Sequence, residues 1–124
     1  FMTQYERNLI DIICPAIKAK KLVRFWYNDK TEDKIDWRII EPHQIGKLRP
    51  EKSKDESIIL TGWFLPTQDQ VWKCWDENWK NYIVERISKV EILEQSYRLT
   101  RMGYQPEDKK RMSIVYCATS ERVI

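Results

Sequence analysis

The chain has 124 residues and a net charge of +3, with 42% hydrophobic and 33% charged residues. This length fits one domain with a single core, and the composition is that of a globular protein rather than a disordered chain. No apolar run approaches the ~18 residues of a membrane-spanning helix and no signal peptide is recognisable, so no membrane partner is expected. The mild positive charge permits an anionic partner without requiring one.

The first predicted element is a helix over Gln4–Lys20. Thr3 and Glu6 have the spacing of a capping box, in which each side chain bonds to the backbone N–H of the other residue. Helical spacing then relates the apolar residues Leu9, Ile10, Ile13 and Ile17. Pro15 interrupts this pattern and predicts either a kink in one helix or the first turn of a second helix.

The next segments alternate between apolar and polar residues with a period of two, which is typical of strands. Leu22–Asn28 and Lys34–Ile40 are predicted to form a hairpin across the polar turn Asp29–Asp33. Pro42 follows the second of these strands. Because proline has no backbone N–H to donate, Pro42 predicts a strand end, an edge or a bulge.

Three further strands are predicted at Ile58–Leu65, Lys80–Arg86 and Ile87–Leu93. The third strand contains Trp, Phe and Leu in succession, which predicts a strand covered on both faces. The loop Thr67–Asn78 precedes the fourth strand, and it is long for a hairpin and rich in tryptophan. Ser113–Cys117 is a candidate for one more short strand.

One helix followed by about five short strands predicts a mainly β, α+β domain built as a small five-stranded antiparallel barrel. We assign residues 2–93 to the barrel with its N-terminal helix, and residues 94–124 to a basic C-terminal extension packed on or beside it. The whole chain would form a single domain. Within the extension, Arg98–Arg111 carries five basic and two acidic residues, which indicates either a phosphate-binding surface or a solvated tail.

Catalytic and metal-binding patterns are not recognisable in the sequence. His43 is the only histidine, and it has neither a G-x-S-x-G nucleophile motif nor a tight set of metal ligands to act with. The three glycines are isolated, so no Gly-rich phosphate-binding loop is predicted. We therefore expect no enzyme activity, no cofactor and no metal site.

The three cysteines, Cys14, Cys74 and Cys117, are widely separated and form no C-x-x-C pair. This pattern favours neither a zinc site nor a disulfide framework. Since unpaired cysteines are typical of proteins in reducing compartments, we expect reduced thiols and a cytoplasmic protein.

Several arginines lie within strands of aromatic and aliphatic residues. Arg24 precedes the aromatic run FWY, Arg38 follows Trp37, and Arg86 lies in the segment YIVERI. An arginine in such a strand needs a partner, either an internal carboxylate or an anionic ligand held by the planar guanidinium. Arginines and aromatic rings grouped on one face would suit phosphates and stacked bases.

The order and spacing of several segments resemble the WYL domain: AIKAKKLVRFWYND, WRIIEPHQIG, ILTGWFLP and WKNYIVERISKVEIL. The likeness covers residues 16–93. It includes a strand ending at Tyr27, the step from Arg38 to Pro42, the strand Trp63-Phe64-Leu65 and the step Glu85-Arg86-Ile87. Phe64 replaces the tyrosine of the family motif, which removes a hydroxyl group, and Glu85 replaces an aspartate.

The resemblance implies an SH3-like or Sm-like β-barrel and a ligand-sensing module of bacterial regulators. Such modules are linked to transcription regulation, DNA-damage responses and phage defence. The implied ligand is a single-stranded oligonucleotide or a nucleotide, bound on a basic face. By their positions in the motifs, the ligand-binding residues would be Tyr27, Arg38, His43, Trp63 and Arg86. The arginines would pair with phosphate, and Tyr27 and Trp63 would shape or stack on the base.

A protein-interaction module is the alternative function. Trp72, Trp75 and Trp79 lie in and beside a polar loop, where exposed aromatic side chains would anchor a protein partner. SH3-like barrels also bind extended Pro-rich peptides in aromatic grooves. The same tryptophans would otherwise fold back and close the barrel. A homodimer formed through the tail or through this loop is a further version of this alternative.

Overall fold

The computed structural model describes residues 2–29, 34–73, 78–106 and 108–123. The helix α1 spans Gln4–Lys18, and the strands are β1 (Lys21–Asp29), β2 (Lys34–Leu48), β3 (Ile58–Phe64), β4 (Trp79–Ile83), β5 (Ile87–Ser96) and β6 (Met112–Ala118). Two short 3-10 helices span Gln68–Lys73 and Val84–Arg86. The protein is mainly β with an N-terminal helix, as predicted. Most of the predicted turn Asp29–Asp33 lies outside the described residues.

The helix α1 begins with the predicted capping box. The Glu6 backbone N–H donates to Oγ1 of Thr3 at 3.1 Å, and the Thr3 backbone N–H donates to Oε1 of Glu6 at 2.9 Å. Pro15 lies inside the helix without ending it, so one continuous helix is present. Pro15 is exposed, and only one backbone N–H is missing there. Among the described residues, no helix combines the length and the apolar character that crossing a bilayer requires.

All six strands belong to one antiparallel sheet. Its strand order is β4-β3-β2-β1-β5, and β6 pairs with β2 beside this path. The long strand β2 allows this because its first part pairs with β1 and its last part, Gln44–Leu48, pairs with β6. The register of β2 against β3 shifts between Pro42 and Gln44, which agrees with the bulge, one of the three alternatives predicted for Pro42, and places His43 within it.

Strand pairing does not close the sheet into the predicted barrel. The strands β4 and β5 are the two ends of the path, and no ladder joins them within the described part of the chain. The fourth predicted strand ends at Ile83, because Val84–Arg86 turns into a 3-10 helix that leads directly into β5. The candidate strand at Ser113–Cys117 is confirmed as β6, so the sheet has six strands rather than five.

The helix α1 and one face of the sheet enclose the hydrophobic core. Val23, Phe25 and Tyr27 of β1 all point into it, as the period of two predicts. In β3, Phe64 is 1% exposed and belongs to the core, whereas Trp63 is half-buried. The phenylalanine that replaces the motif tyrosine therefore acts as a packing residue.

A disulfide joins Cys14 of α1 to Cys117 of β6, with Cα atoms 5.9 Å apart. The expectation of reduced thiols is therefore wrong for these two residues. Their separation of 103 residues hides the pairing in the sequence, because only the return of β6 to the sheet brings Cys117 beside the helix. Disulfides persist mainly in oxidising compartments, so the bond also weakens the basis for the predicted cytoplasmic location. Cys74 lies outside the described residues.

Candidate functional site

Two of the predicted ligand-binding residues, Tyr27 and Arg38, lie inside the domain. The Tyr27 hydroxyl accepts a hydrogen bond from the Ile83 backbone N–H at 3.0 Å. Arg38 is 4% exposed, and its guanidinium nitrogens lie 3.8 Å from carboxylate oxygens of Asp29 and of Asp36. The partner of Arg38 was predicted to be either an internal carboxylate or an anionic ligand. These contacts agree with the first alternative. A role in ligand binding stays a prediction for both residues.

Arg86 lies at the end of the 3-10 helix that precedes β5. It lines a shallow depression together with Tyr5, Asn28 and Ser88. Of the described residues that were predicted to bind ligand, only Arg86 lines this depression. Arg86 precedes Ile87, which pairs with Tyr27 across β1 and β5, whereas His43 and Trp63 do not line this depression. That the five residues form one ligand site stays a prediction.

His43 and Trp63 are brought together in a cluster of aromatic rings. The ring centre of His43 lies 4.7 Å from that of Trp79 and 5.0 Å from that of Tyr97. Tyr104 contacts His43 from another side at 4.9 Å, and Trp63 extends the cluster at 5.7 Å from Trp79. We call these residues the His43 cluster. Tyr97 and Tyr104 come from the C-terminal segment, which therefore covers the bulge of β2.

His43 is fully buried, and both of its ring nitrogens have partners. Nδ1 lies 2.8 Å from the Glu41 carbonyl oxygen, and Nε2 lies 3.3 Å from the Arg101 backbone nitrogen. These partners place the proton on Nδ1, which donates, while Nε2 accepts. The pKa of His43 is lowered to about 4, chiefly by burial and further by the cations Arg101 and Lys20, while the hydrogen bond to Glu41 acts in the opposite direction. The imidazole is neutral near pH 7 and supplies no positive charge for a phosphate.

Arg101 closes one side of the His43 cluster, although no motif singles it out. Its guanidinium donates to both carboxylate oxygens of Glu41, at 2.7 and 2.9 Å. The guanidinium carbon lies 4.8 Å from the centre of the Trp63 ring. The bidentate contact with Glu41 raises the pKa of Arg101 and holds its charged plane against the indole. Trp63, the predicted stacking residue, is therefore already covered by a cation.

A cleft of about 450 Å³ opens beside the His43 cluster. Gln44, Thr61 and Asn81 lie side by side on β2, β3 and β4 and line the sheet side of the cleft. Trp79 and Tyr104 belong both to the cleft and to the His43 cluster. The tail completes the lining with Gly103, Gln105, Asp108, Lys110 and Arg111. We call this cavity the Trp79 cleft.

The tail supplies every charged residue that lines the Trp79 cleft in the described part of the chain. Nε of Arg111 donates to the carboxylate of Asp108, and a second guanidinium nitrogen lies 3.5 Å from Oδ1 of Asn81. Lys110 is exposed at the same place. Among the described residues of the lining, cations outnumber carboxylates, and Lys110 is the cation that a dissolved anion meets most easily.

The side chain of Gln44 lines the Trp79 cleft and is 1% exposed. Its backbone is fixed in the sheet between Thr61 of β3 and Ala118 of β6. Within the described residues, its Oε1 has no hydrogen-bond partner. Buried polar atoms are nearly always paired. An unpaired amide oxygen at a cleft therefore indicates a place for a donor group.

Trp79 is a packed wall of the cleft rather than an exposed anchor. Its indole N–H donates to the Met102 carbonyl oxygen at 2.8 Å. The chain then turns at Gly103, whose φ of 90° is a conformation that glycine adopts without strain. For Trp79 the structure agrees with the alternative in which the tryptophans fold back. The side chain of Trp72 and all of Trp75 lie outside the described residues.

Sequence reasoning selects part of this region and misses the rest. His43 and Trp63 are identified by their motif positions, whereas Gln44 and Tyr104 are not identified at all. The available signal is the basic run Arg98–Arg111, which contains much of the tail side of the cleft. That run predicts either a phosphate-binding surface or a solvated tail, and it does not indicate which strands it meets.

Comparisons with known proteins find a structural likeness but no sequence match. No family model and no curated protein matches the sequence. The fold is similar to that of Proteasome accessory factor B/C (PafBC) of Arthrobacter aurescens, with a TM-score of 0.57 and 14% identity. The match covers 77% of this chain and 13% of that chain, so the likeness concerns a small part of the larger protein. At this identity the likeness shows the fold alone.

Proposed function

We propose that the chain is a non-catalytic regulatory module that senses a nucleotide or a short single-stranded nucleic-acid fragment. The likeness to the accessory factor supports a WYL-like fold and is consistent with a regulatory role. We also propose that the sheet belongs to the SH3-like or Sm-like barrel class. In that arrangement the 3-10 helix Val84–Arg86 bridges the two ends of the strand path.

The observation that carries this proposal is the chemical make-up of the Trp79 cleft. Trp79, with the largely buried ring of Tyr104 beside it, offers flat apolar surface, on which bases stack. Gln44 and Thr61 offer polar groups for the edge of a base, and Lys110 offers charge for a phosphate. The volume of about 450 Å³ lies within the range of small-molecule sites, roughly 300–1,000 Å³.

The predicted ligand residues enter this proposal in two ways. His43 and Trp63 hold the wall of the Trp79 cleft, because both pack against Trp79. Arg86 would instead extend binding to a second, shallow depression. A longer fragment would need both places, whereas a mononucleotide would need only the cleft.

Fluorescence polarisation with labelled single-stranded DNA, labelled RNA and a labelled mononucleotide tests the proposal. Lys110→Ala should weaken binding, whereas Lys109→Ala removes the same charge from a neighbour that does not line the cleft and serves as the matched control. For a single strand, the logarithm of affinity should fall with the logarithm of salt concentration, with a slope of about −0.7 per phosphate neutralised.

Two results would contradict the proposal. Equal losses in Lys110→Ala and Lys109→Ala, together with a larger loss in Arg86→Ala, would move the site to the Arg86 depression. If the folded protein binds none of the nucleotides or oligonucleotides at low salt, the proposed function is rejected.

A further inference from the structure

The Trp79 cleft also indicates which kind of base it takes, and this inference rests on the proposed function. We propose that the cleft selects a nucleotide whose base carries an exocyclic amino group. The amino group would donate to Oε1 of Gln44, while the phosphate contacts Lys110.

The first step is that Gln44 needs a donor. Its side chain is 1% exposed, and its Oε1 has no donor among the described residues. A ligand that brings an N–H to this oxygen makes a bond that the protein lacks on its own. A ligand of the same shape without that N–H leaves the acceptor buried and unpaired, which is unfavourable. The base edge is therefore discriminated by one hydrogen bond.

The second step is that two donor side chains of the same cleft, Thr61 and Arg111, are directed elsewhere. The Thr61 hydroxyl donates to Oδ1 of Asn81 at 2.9 Å. Arg111 directs one guanidinium nitrogen to the same oxygen and another to Asp108. Both donor side chains line the cleft, and neither bonds to the Gln44 oxygen. Their arrangement leaves that place for an incoming group.

The third step is that Tyr104 cannot serve Gln44 either. Its hydroxyl lies 2.6 Å from the Thr119 carbonyl oxygen and 3.1 Å from that of His43. Its single proton is therefore held by backbone acceptors on the far side of the ring. The ring itself remains as apolar surface, nearly parallel to Trp79 at an interplanar angle of 25°.

The last step concerns geometry. Oε1 is itself buried, but the terminal amide torsion of glutamine is broad, so rotation about it would turn Oε1 toward a base without moving the backbone. A base against Trp79 would then have its edge toward β2 and its phosphate toward the tail, where Lys110 is exposed. Base and phosphate contacts come from opposite sides of the cleft.

Matched nucleotide pairs test this inference on the full chain. Adenosine monophosphate and purine riboside monophosphate differ only in the 6-amino group, and cytidine and zebularine monophosphates differ only in the 4-amino group. Isothermal titration calorimetry should give an affinity on the order of tenfold higher for the amino member of at least one pair. Gln44→Met, which keeps the size of the side chain and removes the oxygen, should abolish that preference. Gln44→Glu keeps an acceptor and should retain it.

The outcomes separate this inference from the proposed function. Equal affinities within both pairs in the wild type would overturn the amino-group selection while the proposed function stands. A preference that persists in Gln44→Met, or tighter binding of the nucleotides without the amino group, would also overturn it. If no nucleotide or oligonucleotide binds, the proposed function fails, and the inference fails with it.

Discussion

Removal of the Cys14–Cys117 disulfide should lower the free energy of unfolding by several kcal/mol. The bond joins residues 103 positions apart, and the chain-entropy relation assigns about 4.7 kcal/mol at 25 °C to a closed loop of roughly 100 residues. Many disulfides deliver less than this relation gives, so we expect a loss of about 3–5 kcal/mol. The ladder between β2 and β6 does not involve the sulfur atoms, so the native sheet should remain after reduction.

Urea unfolding followed by circular dichroism measures this loss. The wild type is compared with and without dithiothreitol, and the double variant Cys14→Ser/Cys117→Ala is measured in both conditions. The wild type should lose stability on reduction and the variant should not respond. The thermal midpoint should fall by roughly 10–20 °C in parallel. If the wild type has the same free energy of unfolding in both conditions while intact mass confirms the bond, the loop-closure reasoning is refuted.

The pH dependence of stability should report on His43, whose pKa falls from 6.5 to about 4 on folding. The unfolded chain binds the proton more readily, so the free energy of unfolding should drop by ~3 kcal/mol as the pH falls from about 6.5 to 4. In His43→Gln, the free energy of unfolding measured in urea should depend less steeply on pH above pH 5. An unchanged pH dependence would contradict this. The buried Tyr82 hydroxyl has no partner in the described residues, so Tyr82→Phe should be neutral or stabilise by up to about 1 kcal/mol. Tyr97→Phe leaves the buried Pro42 carbonyl without its donor and should lower the free energy of unfolding by about 1–3 kcal/mol in the same assay. A larger loss in Tyr82→Phe than in Tyr97→Phe would count against this reasoning. Gly46→Ala would place a Cβ 2.7 Å from the Ile114 carbonyl oxygen of β6 and should destabilise by about 1–3 kcal/mol; a neutral result would argue against this close approach of β2 and β6.

Local features of the fold are predictable because neighbouring residues determine them. The capping box depends only on Thr3 and Glu6, and both of its hydrogen bonds are present. Pro42 has no backbone N–H to donate wherever its strand lies, so an irregularity in the strand pairing is expected at this residue. The register shift between Pro42 and Gln44 is that irregularity. The alternation along β1 likewise assigns Phe25 to the core before any partner strand is known.

Long-range pairing is not predictable in this way. The disulfide partner of Cys14 and the neighbour of the Gln44 side chain both depend on where the C-terminal segment returns to the sheet. The signals for β6 are weak, because Met112–Ala118 is short and largely uncharged but borders the basic run. The position of Arg101 over Trp63 depends on the same return. Sequence patterns therefore indicate a sheet and a basic tail but not the cleft between them.

The C-terminal segment links the fold to the proposed function. The resemblance to the WYL domain ends at residue 93, whereas the Trp79 cleft takes Tyr104 and Lys110 from beyond that point. The segment is anchored on one side by the Met102 carbonyl bond to Trp79 and on the other by Cys117. A ligand that contacts both the sheet and the tail would favour this closed arrangement over one in which the tail is displaced. The shift in their equilibrium is set by the ratio of the ligand's affinities for the two arrangements. Under the proposed function, ligand binding would therefore change the position of the tail, and a regulatory partner would respond to that position.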